Sequence, residues 1–238
     1  MPGCSPMYWV TRDEGDPYAD YVIAHLWFDG DIIDRSQFAA TYSYANGATL
    51  SASRTIFGAG TSLDTTYATN PGLYYAAYVS GGGAHLSPGN YEFTIEFWYY
   101  EFGSGSGAPG NQYHFSFYNQ ATGQTFRIYS PSFKGNIAFD LSGGPNSGIS
   151  TVSAGWHYVA CARLGNTYEM WIDGVLAQTV TNSIMDMGTH NSGTYNIWIG
   201  SGSTYGSAYA TSYSNFRFTR RYRDCSVIPT APFPDPVP

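Results

Sequence analysis

The chain has 238 residues, a formal net charge of −7 and 43% hydrophobic residues, so it is globular rather than disordered and large enough to bury a core without staples. Only 11% of residues are charged while 18% are aromatic; with 28 Gly, 22 Tyr and one lysine, Lys134, this suits strands joined by glycine turns, not lysine- and glutamate-rich helices. The acidic balance excludes nucleic acid as a partner, since phosphate neutralisation needs clustered Lys and Arg, and Arg220, Arg221 and Arg223 are too few.

Residues 1–19 form an N-terminal arm with no basic, apolar leader pattern, and no run approaches the roughly 20 apolar residues of a membrane span. "DYVIAHLWFDGDIID" reads as a strand ending at the Asp29-Gly30 turn. "SYANGATLSASRTIFGAGTSLDTTYAT" reads as short strands between turns. In "YEFTIEFWYYEF" the alternation sets Phe93, Ile95, Phe97 and Tyr99 on one face and Thr94, Glu96, Trp98 and Tyr100 on the other. After the loop "GSGSGAPGN", the runs "QYHFSFYN", "TFRIYS", "GNIAFDL" and "GISTVS" follow as strands.

"GWHYVACARLGNTYEMWIDGVL" poses a choice between chemistry and wall. Its first strand places Trp156, Tyr158, Ala160 and Ala162 opposite His157, Val159, Cys161 and Arg163. Gly165-Asn166 and Asp173-Gly174 are turns, so the segment is a three-stranded meander continuing into "VLAQTVT". "SIMDMG" holds one helical turn at most. "YNIWIGSG" and "YSNFRFTRRYRD" complete the strands before the proline-rich tail, 225–238. The pattern predicts one all-β domain over 20–224, a two-sheet antiparallel jelly-roll sandwich with almost no helix.

The segments "LWFDGDIIDRS", "FTIEFWYY", "GWHYVACARLGNTYEMWIDGVLAQTV", "NIWIGSG" and "YSNFRFTRRYRD...PTAPFP" resemble, in order and spacing, the laminin-G-like domains of the concanavalin A-like lectin/glucanase group. The likeness is greatest to versions found in bacteriophage virion proteins and covers roughly residues 20 to 234. It implies two curved sheets, with Trp98, Trp156 and Trp171 as packing aromatics. It also implies a non-enzymatic virion protein, a capsid decoration or tail component made in the bacterial host cytoplasm. Its partners would be other virion proteins, further copies of itself and host-surface polysaccharide, and its termini would dock on the domain or on a neighbour. The alternative is a dedicated carbohydrate-binding module or a glycoside hydrolase of the same fold.

The residues for hydrolysis are poorly placed. Glu92 and Glu96 lie about 13 Å apart along a strand, whereas paired glycosidase carboxylates need roughly 5–9.5 Å. Glu96 is expected to face solvent or to cap an arginine. No nucleophile elbow exists, and His25, His85, His114, His157 and His190 lack metal spacing. Glycan recognition favours tyrosine-rich loops, which makes Tyr74, Tyr75, Tyr78, Tyr205, Tyr209 and Tyr213 the candidates. Asp29, Asp31 and Asp34 of "DGDIID" are the candidate ligands for Ca2+, although the loop lacks the EF-hand pattern. No other cofactor is expected. Cys161 reads as a buried small hydrophobe, and whether Cys4 and Cys225 pair stays open.

Overall fold

The computed structural model describes residues 16–44, 48–58, 60–65, 77–79, 84–87, 89, 92–102, 111–119, 123–131, 135–141, 147–181, 195–200 and 211–235. Among them, fifteen strands run in chain order. They are β1 (Val22–Leu26), β2 (Tyr42–Tyr44), β3 (Thr49–Ser51), β4 (Ser62–Thr65), β5 (Ala77–Val79), β6 (Phe93–Glu101), β7 (Gln112–Asn119) and β8 (Thr125–Ser130). Then follow β9 (Asn136–Leu141), β10 (Ser150–Thr151), β11 (Gly155–Leu164), β12 (Thr167–Ile172), β13 (Val175–Thr181), β14 (Tyr195–Ile199) and β15 (Thr211–Thr219). The helical content is two 3₁₀ turns, Ala19–Tyr21 and Ala84–Leu86. The "SIMDMG" stretch lies outside the described residues.

All pairings are antiparallel and make two sheets. One has eight strands in the order β13-β12-β11-β6-β15-β4-β3, with β1 also paired to β15; the other has seven, β10-β9-β8-β7-β14-β5-β2. The expected jelly-roll sandwich is therefore present. Between the sheets, Phe93, Ile95, Phe97 and Tyr99 of β6 pack with Phe115, Phe117, Phe126 and Ile128. Edge-on ring pairs such as Phe93–Phe126, centroids 5.7 Å apart, fill the layer. Val159 and Cys161 join this core, while Tyr158, Ala160 and Ala162 face outward, as the alternation of "WHYVACARL" requires.

That outward face of the eight-stranded sheet is not solvated. Residues after β15 run back across it as a strap, and Cys225 and Phe233 bury against Trp98, Tyr158, Ala160 and Ala162. The Phe233 ring lies by His25, centroids 6.3 Å apart, and by the Arg217 guanidinium, 4.1 Å from its centroid. The backbone of Phe233 is held from both sides. Its N–H donates to Asn215 Oδ1 at 3.3 Å, and its carbonyl accepts from Trp27 Nε1 at 3.0 Å. Cys225 is a free buried thiol, and Cys4 lies outside the described residues. Phe233→Ala should cost about 3–5 kcal/mol by cavity formation; an unchanged midpoint in urea unfolding would show that the strap contributes nothing.

The Asp173-Gly174 turn joins the meander to the strap. Both residues have positive φ, +49° and +74°, the geometry of a type I′ hairpin. A Cβ on Gly174 would lie 2.7 Å from the Ser226 carbonyl oxygen, so glycine is also required by close approach. Asp173 then anchors the strand beside it, accepting from Tyr158 N–H at 2.9 Å and pairing with His157 Nδ1 at 2.7 Å. The stretch is wall, as its turns suggest.

Candidate functional site

The three aspartates of "DGDIID" serve protein donors and do not converge. Asp34 is buried; its carboxylate accepts from the backbone N–H of His25, Ser36 and Ala40 and from the Ser36 hydroxyl, at 2.9–3.0 Å. Asp31 makes a two-point pair with Arg35, at 2.9 and 3.1 Å, and Asp29 accepts from Thr61 N–H at 3.2 Å. Among the described residues, no three His, Cys, Asp or Glu side chains are placed to hold a metal ion. The expected calcium loop is therefore corrected to a capped turn, because Asp34 has four donors on its two oxygens and none to spare.

Tyr213 is likewise corrected. It is fully buried in the inter-sheet core, where its hydroxyl meets His114 Nδ1 at 3.0 Å, so it cannot stack on a sugar. Sequence reading grouped it with the preceding tyrosines of its loop, but it starts the inward face of β15. Tyr74, Tyr75, Tyr205 and Tyr209 lie outside the described residues, as does the side chain of Tyr78, whose backbone pairs with Trp198 on β14.

Glu96, the better of the two candidate acids, is neutralised. Arg217 grips it through Nε at 2.9 Å and Nη2 at 3.2 Å, and the Tyr158 hydroxyl donates at 2.6 Å. Arg217 and Arg223 also bind Asp16, at 3.0 and 2.6 Å. Two carboxylates and two guanidiniums therefore balance on the outward face of the eight-stranded sheet, under the strap. Burial opposes ionisation of Asp16, yet Arg223 and Arg217 hold its carboxyl below the usual range. A carboxylate locked in this way is neither a free acid nor a nucleophile. It caps an arginine, which is one of the two roles expected of it.

The outward face of the seven-stranded sheet is different. Phe115, Phe117, Phe126, Ile128, Phe139, Leu141, Ile197 and Ile199 point into the core, so Ser116, Tyr118, Arg127, Tyr129, Asp140 and Trp198 point away from it. Tyr118 and Trp198 stand 6.2 Å apart on neighbouring strands, both half-buried. Arg127 and Asp140 form a bidentate pair with both contacts at 2.7 Å. Burial works against the charged form of each, and raises Asp140 in spite of the guanidinium. Arg127 also lies 5.4 Å from the ring of Tyr113, which packs on Tyr129. Between Arg127 and Trp198 in the ladder lies Ser116, fully buried, its hydroxyl without a hydrogen-bond partner. None of these six residues was singled out by sequence reading. The signal was present: each sits on the non-core parity of its strand, and all but Ser116 are aromatic or charged.

No protein-family model matches the chain, and no curated protein matches it. Solved structures do. The receptor binding domain of botulinum neurotoxin C/D mosaic serotype aligns at TM-score 0.64 and 14% identity, over 87% of this chain and 49% of that one. A structure of botulinum neurotoxin type C, which enters cells through interaction with two ganglioside molecules, aligns at 0.62 and 15% identity, over 87% and 50%. The binding domain of botulinum neurotoxin DC in complex with SialylT aligns at 0.63 and 13% identity, over 87% and 50%. The chain thus spans about half the length of these structures. At such identities the likeness is one of fold, and it agrees with the two-sheet β-sandwich described above.

Proposed function

We propose that this protein is a non-enzymatic recognition module that binds glycans on the outward face of its seven-stranded sheet. The observation that carries the reading is the grouping there of the half-buried Tyr118–Trp198 rings and the Arg127–Asp140 pair. Rings stack on the apolar face of a sugar while a charged pair serves its hydroxyls. The solved neighbours, toxin binding domains described with ganglioside or sialylated ligand, support the class of ligand. Neutralisation of Glu96 supports the absence of hydrolysis.

The setting we propose is a bacteriophage particle, as a capsid decoration or tail component facing host-surface polysaccharide. Its support is the resemblance of the strand motifs alone, because the neighbours are toxin domains. The test is a bacterial-envelope glycan array probed with the purified chain. Trp198→Ala and Tyr118→Ala are each expected to weaken binding about tenfold or more, ~1.4 kcal/mol, with the melting temperature little changed. Glycan binding untouched by both changes would sink the assignment of the face. A blank array beside tight capture of a capsid or tail protein would leave a structural brick.

A further inference from the structure

On the opposite side of the sandwich, a small, half-open pocket lies between the strap and the loop after β3. It is lined by Trp27, Asp29, Thr55, Ile56, Phe57, Thr61, Ser214, Asn215 and Pro232. A β-bulge makes its floor. The β15–β6 register slips between Ser214 and Arg217, and Asn215 takes φ +51°. The bulge is what turns Phe216 inward and sends Asn215 to the strap and the pocket.

We propose that this pocket binds the single ring of a neutral or amino sugar, as a site separate from the sheet face. Trp27, Ile56, Phe57 and Pro232 supply apolar surface for the carbon face of a ring. On the floor, Ser214 Oγ accepts from Asn215 Nδ2 at 2.9 Å, which leaves the hydroxyl proton of Ser214 to donate to a ligand oxygen. At the rim, Asp29 uses Oδ1 for Thr61 N–H, and no donor among the described residues reaches Oδ2. That carboxylate is held in place. A Cβ on Gly60 would stand 2.5 Å from Asp29 Oδ1, so the loop closes on Asp29 only because residue 60 is glycine. The Arg35 guanidinium lies over the Trp27 ring at 4.5 Å but is bound to Asp31. A free acceptor beside neutralised cations accepts hydroxyl or ammonium donors and repels a carboxylate. Sialic and uronic acids are therefore excluded here.

The experiment is ligand-detected saturation-transfer NMR on the whole chain with galactose, N-acetylglucosamine, glucosamine, N-acetylneuraminic acid and choline, each alone. A neutral or amino sugar should bind with a dissociation constant on the order of 1 mM, the scale expected for a dozen or so ligand atoms. Asp29→Asn, which keeps an acceptor for Thr61, and Phe57→Ala should each weaken it about fivefold or more. The measurements are made on the Trp198→Ala chain, in which the sheet face is disabled, so this site and the sheet face fail or stand separately. The proposal is overturned by no transfer to any sugar at tens of millimolar, by preference for N-acetylneuraminic acid or choline, or by binding that survives both pocket changes.

Discussion

Arg217→Ala is expected to lower the free energy of unfolding by about 3–5 kcal/mol, the cost of leaving a buried charge without its partner. Arg217 is 6% exposed and answers two carboxylates at once, Glu96 and Asp16. Its removal leaves Arg223 alone to face both, at 3.6 Å from Glu96 and 2.6 Å from Asp16. It also removes the cation 4.1 Å from the Phe233 ring, so the strap loosens with the network. Arg217→Lys should recover only part of the loss, since an ammonium cannot span the fork that the guanidinium makes. Urea unfolding of the three proteins decides the matter. A midpoint unchanged in Arg217→Ala would mean that the four charges contribute no net stability.

Acid should destabilise the protein well above the range where carboxylates titrate. His25 and His114 are buried, and desolvation lowers both to about 3; for His25, Arg217 and Arg35 add to the effect. Each stays neutral in the fold, His25 Nε2 accepting from Trp27 Nε1 at 2.9 Å. The unfolded chain binds protons at both as pH falls through about 6.5, so stability is present above that value and lost below it. Two such groups give up to about 4 kcal/mol between pH 6.5 and 5. His157 acts in the opposite sense. Its Nδ1 bond to Asp173 raises its pKa against the cost of burial, and Nε2 meets the Ser153 carbonyl at 2.9 Å. The stability it adds is complete below 6.5 and fades as pH rises through its raised value. Thermal unfolding against pH should therefore peak near 6.5, with His157→Asn removing the alkaline fall and leaving the acid one. A profile flat between pH 5 and 7 would show that His25 and His114 do not stay neutral on folding.

Both expectations arise on the eight-stranded side or in the core, and the proposed glycan face is on the other side of the sandwich. Stability and recognition should accordingly separate under mutation. Trp198 and Tyr118 can be changed without touching Arg217, Phe233 or His25.

The strand pattern itself was readable. "FTIEFWYY" and "WHYVACARL" alternate strictly, and period two alone fixes which residues share a face. The break in β15 was also there to see, since Tyr213 and Phe216 are three residues apart while both point inward; that spacing is the bulge. For Glu96 the sequence left solvent and an arginine cap both open, and only the fold brings Arg217 to it. The sheet-face group went unnoticed because Ser116, Arg127, Asp140 and Trp198 come from four strands, and only pairing makes them neighbours.

What the sequence determined by itself was local: strands, turns, and the two faces of each strand. It could not say which outward face meets solvent, because that depends on a strap bound to residues far back along the chain. Phe233 reaches Trp27 across 206 positions, and Arg217 reaches Asp16 across 201. The same ignorance covered Tyr213 and the three aspartates. A tyrosine in a polar loop and one in a core carry the same local signature, and an aspartate is a ligand or a cap according to the donors that folding brings to it. Side-chain identity sets what a group can bind; tertiary structure decides whether that capacity is already used.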